Sequence, residues 1–320
     1  MATASVCIVT YNSVSDIEAC LDAVQLQSFP VKQIVVVDNA STDGTVELIR
    51  GLSQDKLLLI PNKINNGFAG GQNQAISHAN SDYVLVLNPD VTLEPNYLSE
   101  IISFMEQHKE VGSATGKLIF GSDLTIMDSA GLGMRRTRQA YDLAAGEPIT
   151  SWVESMQVFG VSGAAGVYRS EMVRDIAIDG QFFDEDFFAY KEDVDVAWRA
   201  KKLGWQSYYV STAEAVHNRG WKKGGRTAVP LFVRRHSYQN RFFTLIKNEP
   251  VGWHWFTLLP LLIFVELIKL GYIILREPGL LHCWPKIIRM LPSMLRKRRW
   301  IIGKYNQITM QQNPSAERRG

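Results

Sequence analysis

The sequence predicts a layered α/β domain followed by a helical C-terminal region. Strand and helix patterns alternate over residues 5–90, which is typical of βαβ units and a parallel sheet. The strand segments are unbroken apolar runs, as expected for strands that are covered on both faces. After about residue 226 the chain becomes basic and contains long apolar segments. We therefore divide it into residues 1–225 and residues 226–320.

The predicted elements follow one another in a regular order. Strands are expected at residues 5–10, 34–37, 57–60 and 83–87, with helices at 14–26, through 46–49 and at 67–79. Either Ser41 or Thr42 is a suitable N-cap for the second helix. Beyond them we expect a surface helix at 95–108, a strand near 114–120 and loops up to 150. An apolar stretch at 158–168, punctuated by glycines, precedes a helix from Glu192 and a strand at 205–210, with His217 beyond it.

Polar residues follow the first, second and fourth strands. Pro89 cannot donate to a sheet ladder, so the fourth strand ends there and leaves Asp90 at the carboxyl edge, where open α/β folds bind ligands. The residues after the first two strands suit a nucleotide, although each alone is also compatible with strand-end capping; they are Thr10, Tyr11, Asn12, Asp38 and Asn39. Tyr11 is suited to packing on a base, and Asp38 to accepting hydrogen bonds from a base or ribose.

The turn at residues 67–73 is a second candidate ligand site. Its glycines precede a helix, whose first N–H groups favour an anion. No Gly-Lys-Ser/Thr follows, so it is not a P-loop, and it is not placed after the first strand as the dinucleotide fingerprint requires.

Asp90 is the natural ligand for a divalent cation that bridges a diphosphate. Mg²⁺ or Mn²⁺ favours carboxylate oxygens together with substrate phosphates. His217 is a candidate second ligand, better suited to Mn²⁺, with an ordinary structural histidine as the alternative.

Six carboxylates crowd into residues 184–195. A solvated acidic face is the usual explanation, but the interleaved aromatic residues argue against full exposure. Burial raises carboxylate pKa values, which is common at catalytic sites. Glu192 and Asp193 stand at a helix N-terminus, where the dipole favours the ionised form. A base must be ionised, so Asp193 is the better candidate.

Taken together, these segments resemble the family-2 glycosyltransferases, which have the GT-A fold, and especially their bacterial rhamnosyltransferase-like branch. The matching segments are residues 9–12, 36–45, 66–73, 87–90, 182–188 and 192–195. The resemblance implies that Asp90 fills the last position of the family's Asp-x-Asp metal motif, where Asn88 replaces the first aspartate. It makes Asp193 the catalytic base and sets His217 near the metal.

The nucleotide-sugar site that we predict includes the strand-end residues and part of the glycine turn. Its members are Thr10, Tyr11, Asn12, Asp38, Asn39, Gly67, Asn73 and Asn88. Glu192 is counted as catalytic beside Asp193. The implied reaction is a single inverting displacement of a nucleoside diphosphate by an acceptor hydroxyl. The expected donor is dTDP-rhamnose, and the expected acceptor is lipid-linked or a surface polysaccharide. No nucleic-acid partner is expected.

Two other functions fit the same sequence features. A nucleotidyltransferase on a similar sheet would release pyrophosphate instead of a nucleoside diphosphate. A catalytically silent scaffold at the membrane would bind nucleotide-sugar without turnover.

The C-terminal region predicts membrane association. It carries 16 Lys and Arg against four Glu, a net charge of +12, whereas residues 1–225 carry −10. The apolar segment 251–275 is interrupted by Pro260, Glu266 and Lys269, so we favour helices that lie on an anionic membrane surface. Tryptophans at 253, 255, 284 and 300 suit the headgroup level. A transmembrane hairpin and a buried helical subdomain are the alternatives.

The sequence also predicts a cytoplasmic location. Three scattered cysteines indicate free thiols in a reducing compartment, and the N-terminus has no signal-peptide pattern. We therefore expect the protein at the cytoplasmic face of the cell membrane.

Overall fold

A computed structural model describes residues 2–52, 56–219, 229–250 and 255–312. Within these ranges, ten strands form a mixed sheet and two more form a ribbon. The strands are β1 Ala4–Thr10, β2 Val31–Asp38, β3 Leu57–Pro61, β4 Tyr83–Leu87, β5 Val91–Leu93, β6 Val111–Phe120, β7 Met127–Ser129, β8 Leu132–Met134, β9 Ala140–Asp142, β10 Met156–Val158, β11 Ala165–Arg169 and β12 Gln206–His217.

Helices cover both faces of the large sheet and form the C-terminal region. They are α1 Ile17–Gln25, α2 Thr45–Gly51, α3 Gly67–His78, α4 Tyr97–Gln107, α5 Ser170–Ile176, α6 Glu192–Lys202, α7 Leu231–Asn248, α8 Trp255–Arg276 and α9 Trp284–Gln312. Short 3-10 helices lie at Ile149–Ser151, Glu185–Phe187 and Pro278–Cys283.

The strand order of the large sheet is β10-β12-β6-β11-β4-β1-β2-β3, with β5 on β12 and β7 on β6. The first four strands pair in parallel, as the sequence predicted, and β11 runs antiparallel between β4 and β6. Thr10 pairs with Asp38, and Ile8 pairs with Leu87. This register brings the segments after β1, β2 and β4 to one edge of the sheet.

The core lies on both faces of the parallel strands. Val6 and Ile8 point into one apolar cluster and Cys7 into the other, because successive strand residues face opposite sides. All five residues of β4 are buried. On α1, the apolar face predicted from the sequence is buried; it consists of Ile17, Cys20, Leu21 and Val24. Burial of each large apolar side chain stabilises the fold by about 1.5–3 kcal/mol. The strands, and with them the sheet edge that carries the site, are therefore held firmly in place.

Two local predictions differ from the structure. β12 does not end at residue 210 but continues to His217, because its last residues pair with β5 and β6. His217 is therefore a strand residue.

The N-terminus of α2 also differs from the prediction, because neither Ser41 nor Thr42 is its N-cap. Gly44, with a φ of +93°, precedes α2, and the side chain of Asp43 accepts a hydrogen bond from the Thr45 N–H at 3.1 Å. Ser41 instead donates its hydroxyl to Asp38.

The C-terminal helices α7 and α9 pack directly on the α/β body. Asp184 accepts hydrogen bonds from Lys247 of α7 and Lys297 of α9. Lys247 also donates to Asp195 at 2.9 Å, and Arg199 donates to the same carboxylate at 3.0 Å. We call Asp184, Asp195, Arg199, Lys247 and Lys297 the buried ion network. The predicted boundary after residue 225 falls outside the described residues, and the helices beyond it share this network with the body.

The network changes the expected pKa values of the acidic segment. Burial alone raises the pKa of a carboxyl, as the sequence suggested, but Lys247 and Lys297 hold the pKa of Asp184 well below its usual range. Burial likewise opposes ionisation of Asp195, and Lys247 and Arg199 outweigh it and lower its pKa. These two carboxylates are structural anions and are not candidate bases.

Helix α8 differs from its neighbours because most of its apolar surface faces outward. The segment Leu258–Arg276 is long and apolar enough to cross a membrane, with a mean hydropathy of 2.3 and 6% of it buried. Its charged residue Glu266 accepts a hydrogen bond from Arg241 of α7 at 2.8 Å. Trp253 lies outside the described residues. Trp284 packs on Phe242, and Trp300 packs against the core cluster beside α6.

We predict that Lys247→Met destabilises the fold strongly. Lys247 is fully buried, and its loss leaves Asp184 and Asp195 short of a cation, which costs about 3–5 kcal/mol for a broken buried pair. A fall of several degrees in the melting temperature measures this. Lys109→Met is the control, because its pair with Glu106 is solvent-exposed and contributes about 0–1 kcal/mol. Equal melting temperatures for the two variants would contradict the structural role of the network.

Candidate active site

Two adjoining cavities lie at the carboxyl edge of β1, β2 and β4. The larger, about 840 Å³, is lined by Tyr11, and we call it the Tyr11 cavity. The smaller, about 500 Å³, is lined by Asp193, and we call it the Asp193 cavity. The two share one wall, formed by Phe68, Asn88, Asp90, Ala189 and Tyr190. The strand register and this wall bring most of the predicted site residues within one region.

The Tyr11 cavity contains several of the predicted nucleotide-binding residues. Its lining includes Tyr11, Asn12, Asn39 and Gly67. The Tyr11 side chain is 55% exposed and offers its ring to the cavity. Asn12 has a φ of +53°, and its side-chain oxygen accepts a hydrogen bond from the Thr42 N–H at 2.9 Å. This contact joins the loops after β1 and β2.

Thr10 and Asp38 lie beneath this cavity and do not line it. Thr10 donates its hydroxyl to Asp38 at 2.8 Å, and Ser41 donates its N–H to the same carboxylate at 2.9 Å. Both Thr10 and Asp38 are buried. They hold the two loops together, and their direct contact with a nucleotide stays a prediction.

Gly67 must be a glycine. Its φ is +73°, and a Cβ atom at this position would overlap the carbonyl of Phe188. Asn39 donates its side-chain amide to the Gly67 carbonyl at 2.9 Å. The N–H groups of Gly67 and Ala69 already donate to Asn65 and Phe188. This start of α3 thus helps to hold the neighbouring loop, and the anion site that the sequence suggested there stays a prediction.

Asn73 lies away from both cavities. Its side chain donates to the Phe183 carbonyl at 2.7 Å and to Glu185 at 2.9 Å, and it accepts from the Phe183 N–H at 2.9 Å. These contacts attach the aromatic-acidic loop to α3. Asn73 therefore has structural partners, and the nucleotide contact expected for it stays a prediction.

Asp90 and His217 face each other where the two cavities meet. Pairing of Val91 with His217 between β5 and β12 sets them side by side, with Asp90 Oδ1 at 3.4 Å from His217 Nε2. The other ring nitrogen, Nδ1, is 2.7 Å from Asp128, which is fully buried. Burial by itself lowers the pKa of His217, but the Asp128 and Asp90 carboxylates raise it above its usual value.

These residues fit a divalent cation that also binds donor phosphates. Asp90 Oδ1 is buried and has no hydrogen-bond partner, and Nε2 of His217 is the ring nitrogen on its side. The contact of Nδ1 with Asp128 orients the imidazole, as is common for metal-bound histidines. Among the described residues no cluster of three or more His, Cys, Asp or Glu side chains could hold a metal. A cation here would complete its coordination with diphosphate oxygens, as Mg²⁺ and Mn²⁺ commonly do.

Asp193 is half-buried in the first turn of α6. Its Oδ1 accepts from the Val194 N–H at 2.7 Å, and its Oδ2 accepts from the Gly163 N–H at 3.3 Å. Gly163 belongs to the glycine-punctuated stretch, where a close backbone approach was predicted. At Gly160 a Cβ atom would overlap Ala197 of the same helix, so the glycines allow α6 to approach this strand segment.

The pKa values of Glu192 and Asp193 are raised. Burial and the neighbouring Asp193 raise the pKa of Glu192 to about 8, and Glu192 Oε2 has no hydrogen-bond partner. Burial also raises the pKa of Asp193, although the Gly163 and Val194 N–H groups oppose the shift. Desolvation thus outweighs the helix dipole that was expected to favour ionisation. Asp193 accepts hydrogen bonds at both carboxylate oxygens, which favour its ionised form, whereas Glu192 Oε2 accepts none.

Comparison with known proteins assigns the family. A model described as "Glycosyl transferase family group 2" matches residues 83–315, and one described as "Glycosyl transferase family 2" matches residues 5–159. The chain belongs to the family-2 glycosyltransferases. This confirms the predicted family and enzyme class, and it favours a glycosyltransferase over the nucleotidyltransferase alternative.

Relatives and solved structures agree with this glycosyltransferase assignment. N-acetylglucosaminyl-diphospho-decaprenol L-rhamnosyltransferase of Mycobacterium tuberculosis is 26% identical over 268 residues, covering 77% of this chain and 84% of the relative. The S. aureus TarS 1–349 structure in complex with UDP-GlcNAc has a TM-score of 0.58 at 16% identity and covers 96% of this chain and 90% of that one. The structure of GalNAc-T7 with UDP, GalNAc and Mn²⁺ has a TM-score of 0.59 at 14% identity and covers 77% of this chain. This chain spans 49% of GalNAc-T7. The predicted GT-A fold is confirmed.

Three polar residues that line the Asp193 cavity of this glycosyltransferase were not predicted from the sequence: Asp142, Lys191 and Arg219. Arg219 lies 3.4 Å from Asp142 and 3.2 Å from Asp128, which was not predicted either and lies behind His217. Asp128 and Asp142 belong to residues 113–150, where the sequence predicted mostly loops. The one available signal for Arg219 was its position two residues after His217.

We predict that Asp128→Asn weakens metal binding. The variant removes the charge that orients and polarises His217, and loss of such a partner typically costs about 10–100-fold in metal affinity. Calorimetric titration of Mn²⁺ in the presence of dTDP measures this directly. Asp22→Asn, on the exposed face of α1, is the control. An unchanged Mn²⁺ affinity in Asp128→Asn would rule out His217 as a ligand oriented by Asp128.

Proposed function

We propose that this glycosyltransferase transfers a sugar from a nucleotide-sugar to an acceptor hydroxyl by a single inverting displacement. One observation carries the proposal: the Asp90–His217 pair and Asp193 line the same Asp193 cavity, which adjoins the Tyr11 cavity. A donor with its nucleotide in the Tyr11 cavity would have its diphosphate at Asp90. Its sugar would then lie beside Asp193.

In this proposal the donor is bound mainly by the loops after β1, β2 and β4. The Tyr11 ring packs on the base, and Asn12, Asn39, Gly67 and Asn88 line the space for the ribose and diphosphate. Thr10 and Asp38 support these loops from below and remain candidates for a contact with the base. The name of the rhamnosyltransferase relative favours a rhamnosyl donor, for which we propose dTDP-rhamnose, whereas two of the solved neighbours contain UDP or UDP-GlcNAc.

We propose that Asp90 and His217 hold Mg²⁺ or Mn²⁺, with Asn88 beside them. When bound, the cation neutralises charge on the departing nucleoside diphosphate. Asp128 keeps the His217 ring in place, and Arg219 adds positive charge to the same cavity. The Mn²⁺ in the GalNAc-T7 structure supports a divalent cation but does not choose between the two metals.

The proposed base is Asp193. Its carboxylate takes the proton of the acceptor hydroxyl as the hydroxyl oxygen bonds to the anomeric carbon and the bond from that carbon to the diphosphate oxygen breaks. Glu192, with a pKa of about 8, is mostly protonated at pH 7 and acts as a hydrogen-bond donor to the acceptor. The two neighbouring carboxyl groups thereby have different roles in this proposal. Asp193, which accepts hydrogen bonds from the Gly163 and Val194 N–H groups, is the base, and Glu192, whose Oε2 accepts none, is the donor.

Asp193→Asn tests the base. The substitution keeps the volume and removes the proton acceptor, so kcat should fall by about 10²–10⁴-fold while dTDP-rhamnose affinity stays nearly unchanged. Release of dTDP measures turnover, and calorimetry measures donor binding. Glu192→Gln is the matched variant: it keeps a hydrogen-bond donor at the neighbouring position and should retain most activity at pH 7. Near-normal turnover in Asp193→Asn would refute the assignment, and donor binding without turnover in the wild type would indicate the silent scaffold.

We also propose that the acceptor is lipid-linked and that the enzyme works at the cytoplasmic face of the membrane. The name of the mycobacterial relative specifies a decaprenol-linked acceptor. The outward face of α8 offers a large apolar surface, with side chains exposed by half or more; they are Phe256, Ile263, Phe264, Leu267, Ile268, Ile274 and Leu275. A contiguous exposed apolar patch of this kind is typical of a membrane or protein contact.

The proposed contact lies along the membrane surface and does not cross it. Glu266 on the inner side of α8 is bound to Arg241 and Lys269, so this face of the helix is held against α7. The sequence assigned the attraction to the basic run 296–299, but three of its members have contacts within the protein. Arg296 pairs with Asp179, Lys297 with Asp184, and Arg298 donates to two backbone carbonyls. Burial of the apolar face is therefore the main expected driving force.

Vesicle flotation tests the membrane contact. The wild type should float with phospholipid vesicles at both low and high salt, because apolar burial is little screened. Phe264→Glu with Leu267→Glu should stay at the bottom of the gradient. The control, Leu124→Glu with Val153→Glu, changes two equally exposed apolar residues of the α/β body and should float. Wild type at the bottom would exclude the membrane contact, and a double variant that floats and resists carbonate extraction would indicate a transmembrane helix.

A further inference from the structure

Residues 187–191, which supply Ala189 and Tyr190 to the wall between the two cavities, have a strained backbone. Phe188, Tyr190 and Lys191 have φ values of 65°, 71° and 70°, and none of them is glycine. Such conformations cost about 1–3 kcal/mol each and persist only where the surroundings hold them. Ala189 and Tyr190 of this segment line both cavities, and Asp193 follows two residues after Lys191. Something must therefore hold residues 187–191 in place.

Asn240 of α7 makes the contacts that hold this wall. Its side-chain nitrogen lies 2.9 Å from the Phe187 carbonyl, 2.9 Å from the Ala189 carbonyl and 2.8 Å from the Tyr190 carbonyl. Its side-chain oxygen accepts from Gln239 at 3.1 Å. Asn240 is fully buried and lines neither cavity. One side-chain amide of α7 therefore lies against the carbonyls of Phe187, Ala189 and Tyr190.

The opposite side of the wall is fixed by α3. The Ala69 N–H donates to the Phe188 carbonyl at 3.0 Å, and Gly67 allows the close approach. The segment is thus held between α3 and α7. If the Asn240 side chain were truncated, its two N–H groups would no longer be shared among these buried carbonyls, and residues with positive φ would be free to return to ordinary conformations.

We propose that Asn240 is a positioning residue for sugar transfer. It touches no substrate, but it holds the strained wall so that the donor sugar and the acceptor meet beside Asp193 and water is kept out. The inference rests on the proposed transferase reaction, and it means that the C-terminal region helps to place the reacting groups accurately. Small errors in the placement of reacting groups reduce rates strongly, so a looser wall should affect transfer more than binding.

The test compares Asn240→Ala with Thr244→Val. Thr244 lies one turn further along α7, is buried, and donates its hydroxyl to the Asn240 carbonyl at 2.7 Å. Both variants remove buried hydrogen bonds of the same helix, but only the first releases the wall. Release of dTDP from dTDP-rhamnose is measured with and without a synthetic polyprenyl-diphospho-N-acetylglucosamine acceptor, together with the affinity for dTDP and the melting temperature.

We expect Asn240→Ala to lower kcat for transfer by about 10-fold or more, with dTDP affinity close to wild type. The ratio of donor hydrolysis to transfer should rise, because water enters where the wall has loosened. Thr244→Val should lower the melting temperature and leave this ratio unchanged. Asn240→Ser, which keeps one hydroxyl donor, should give an intermediate ratio and also serves where the alanine variant is too unstable to assay.

The outcomes separate the two proposals. A wild type without transfer to any acceptor overturns the proposed function itself. An active wild type whose Asn240 variants keep its kcat and its hydrolysis ratio, and differ only in melting temperature, overturns the positioning role. The positioning role is also overturned if Thr244→Val raises the ratio of donor hydrolysis to transfer as much as Asn240→Ala does, because the effect then comes from general destabilisation.

Discussion

The buried ion network of Asp184, Asp195, Arg199, Lys247 and Lys297 is the constraint on which the active-site wall depends. Asp184 and Asp195 stand on either side of residues 185–194, and Lys247 bridges their carboxylates. A buried carboxylate without a partner is very costly, so the segment and α7 must fold together. The wall, the first turn of α6 and the C-terminal helices consequently form one unit. Their separation would expose the cavity and leave charges unpaired in the interior.

The site is built partly from the parallel strands and partly from the antiparallel strands and the C-terminal helices. One side of the Tyr11 cavity comes from neighbouring parallel strands, whose register aligns the loops after β1, β2 and β4. The Asp193 cavity needs distant segments: Gly163 before β11, His217 at the end of β12, and the first turns of α6 and α7. Contacts within the first group are local in the sheet. Contacts within the second exist only when the antiparallel strands and the C-terminal helices are in place.

The same division explains what the sequence predicted and what it did not. The parallel strands, the loop residues Tyr11 and Asn39, and the position of Asp90 follow from apolar periodicity and strand ends, which are local patterns. Asp128 supports His217 from 89 residues away, and Asn240 supports Tyr190 from 50 residues away. No periodic pattern identifies such pairs. Asn73 shows a further limit: its place in a family-like motif suggested a ligand contact, which stays a prediction, and no local pattern indicated its hydrogen bonds to the Phe183 backbone.

The charge asymmetry between the two parts of the chain has an internal explanation. A basic tail beside an acidic body predicted an external anionic partner, but many of the tail's cations pair with the body. Lys247 and Lys297 enter the buried ion network, Arg296 pairs with Asp179, and Lys304 pairs with Asp175 at 2.7 Å. Glu249, one of the tail's few acids, pairs with Arg138 of the body. Part of the opposite net charge is therefore complementarity across an internal interface, and the proposed membrane contact rests on the exposed apolar face of α8.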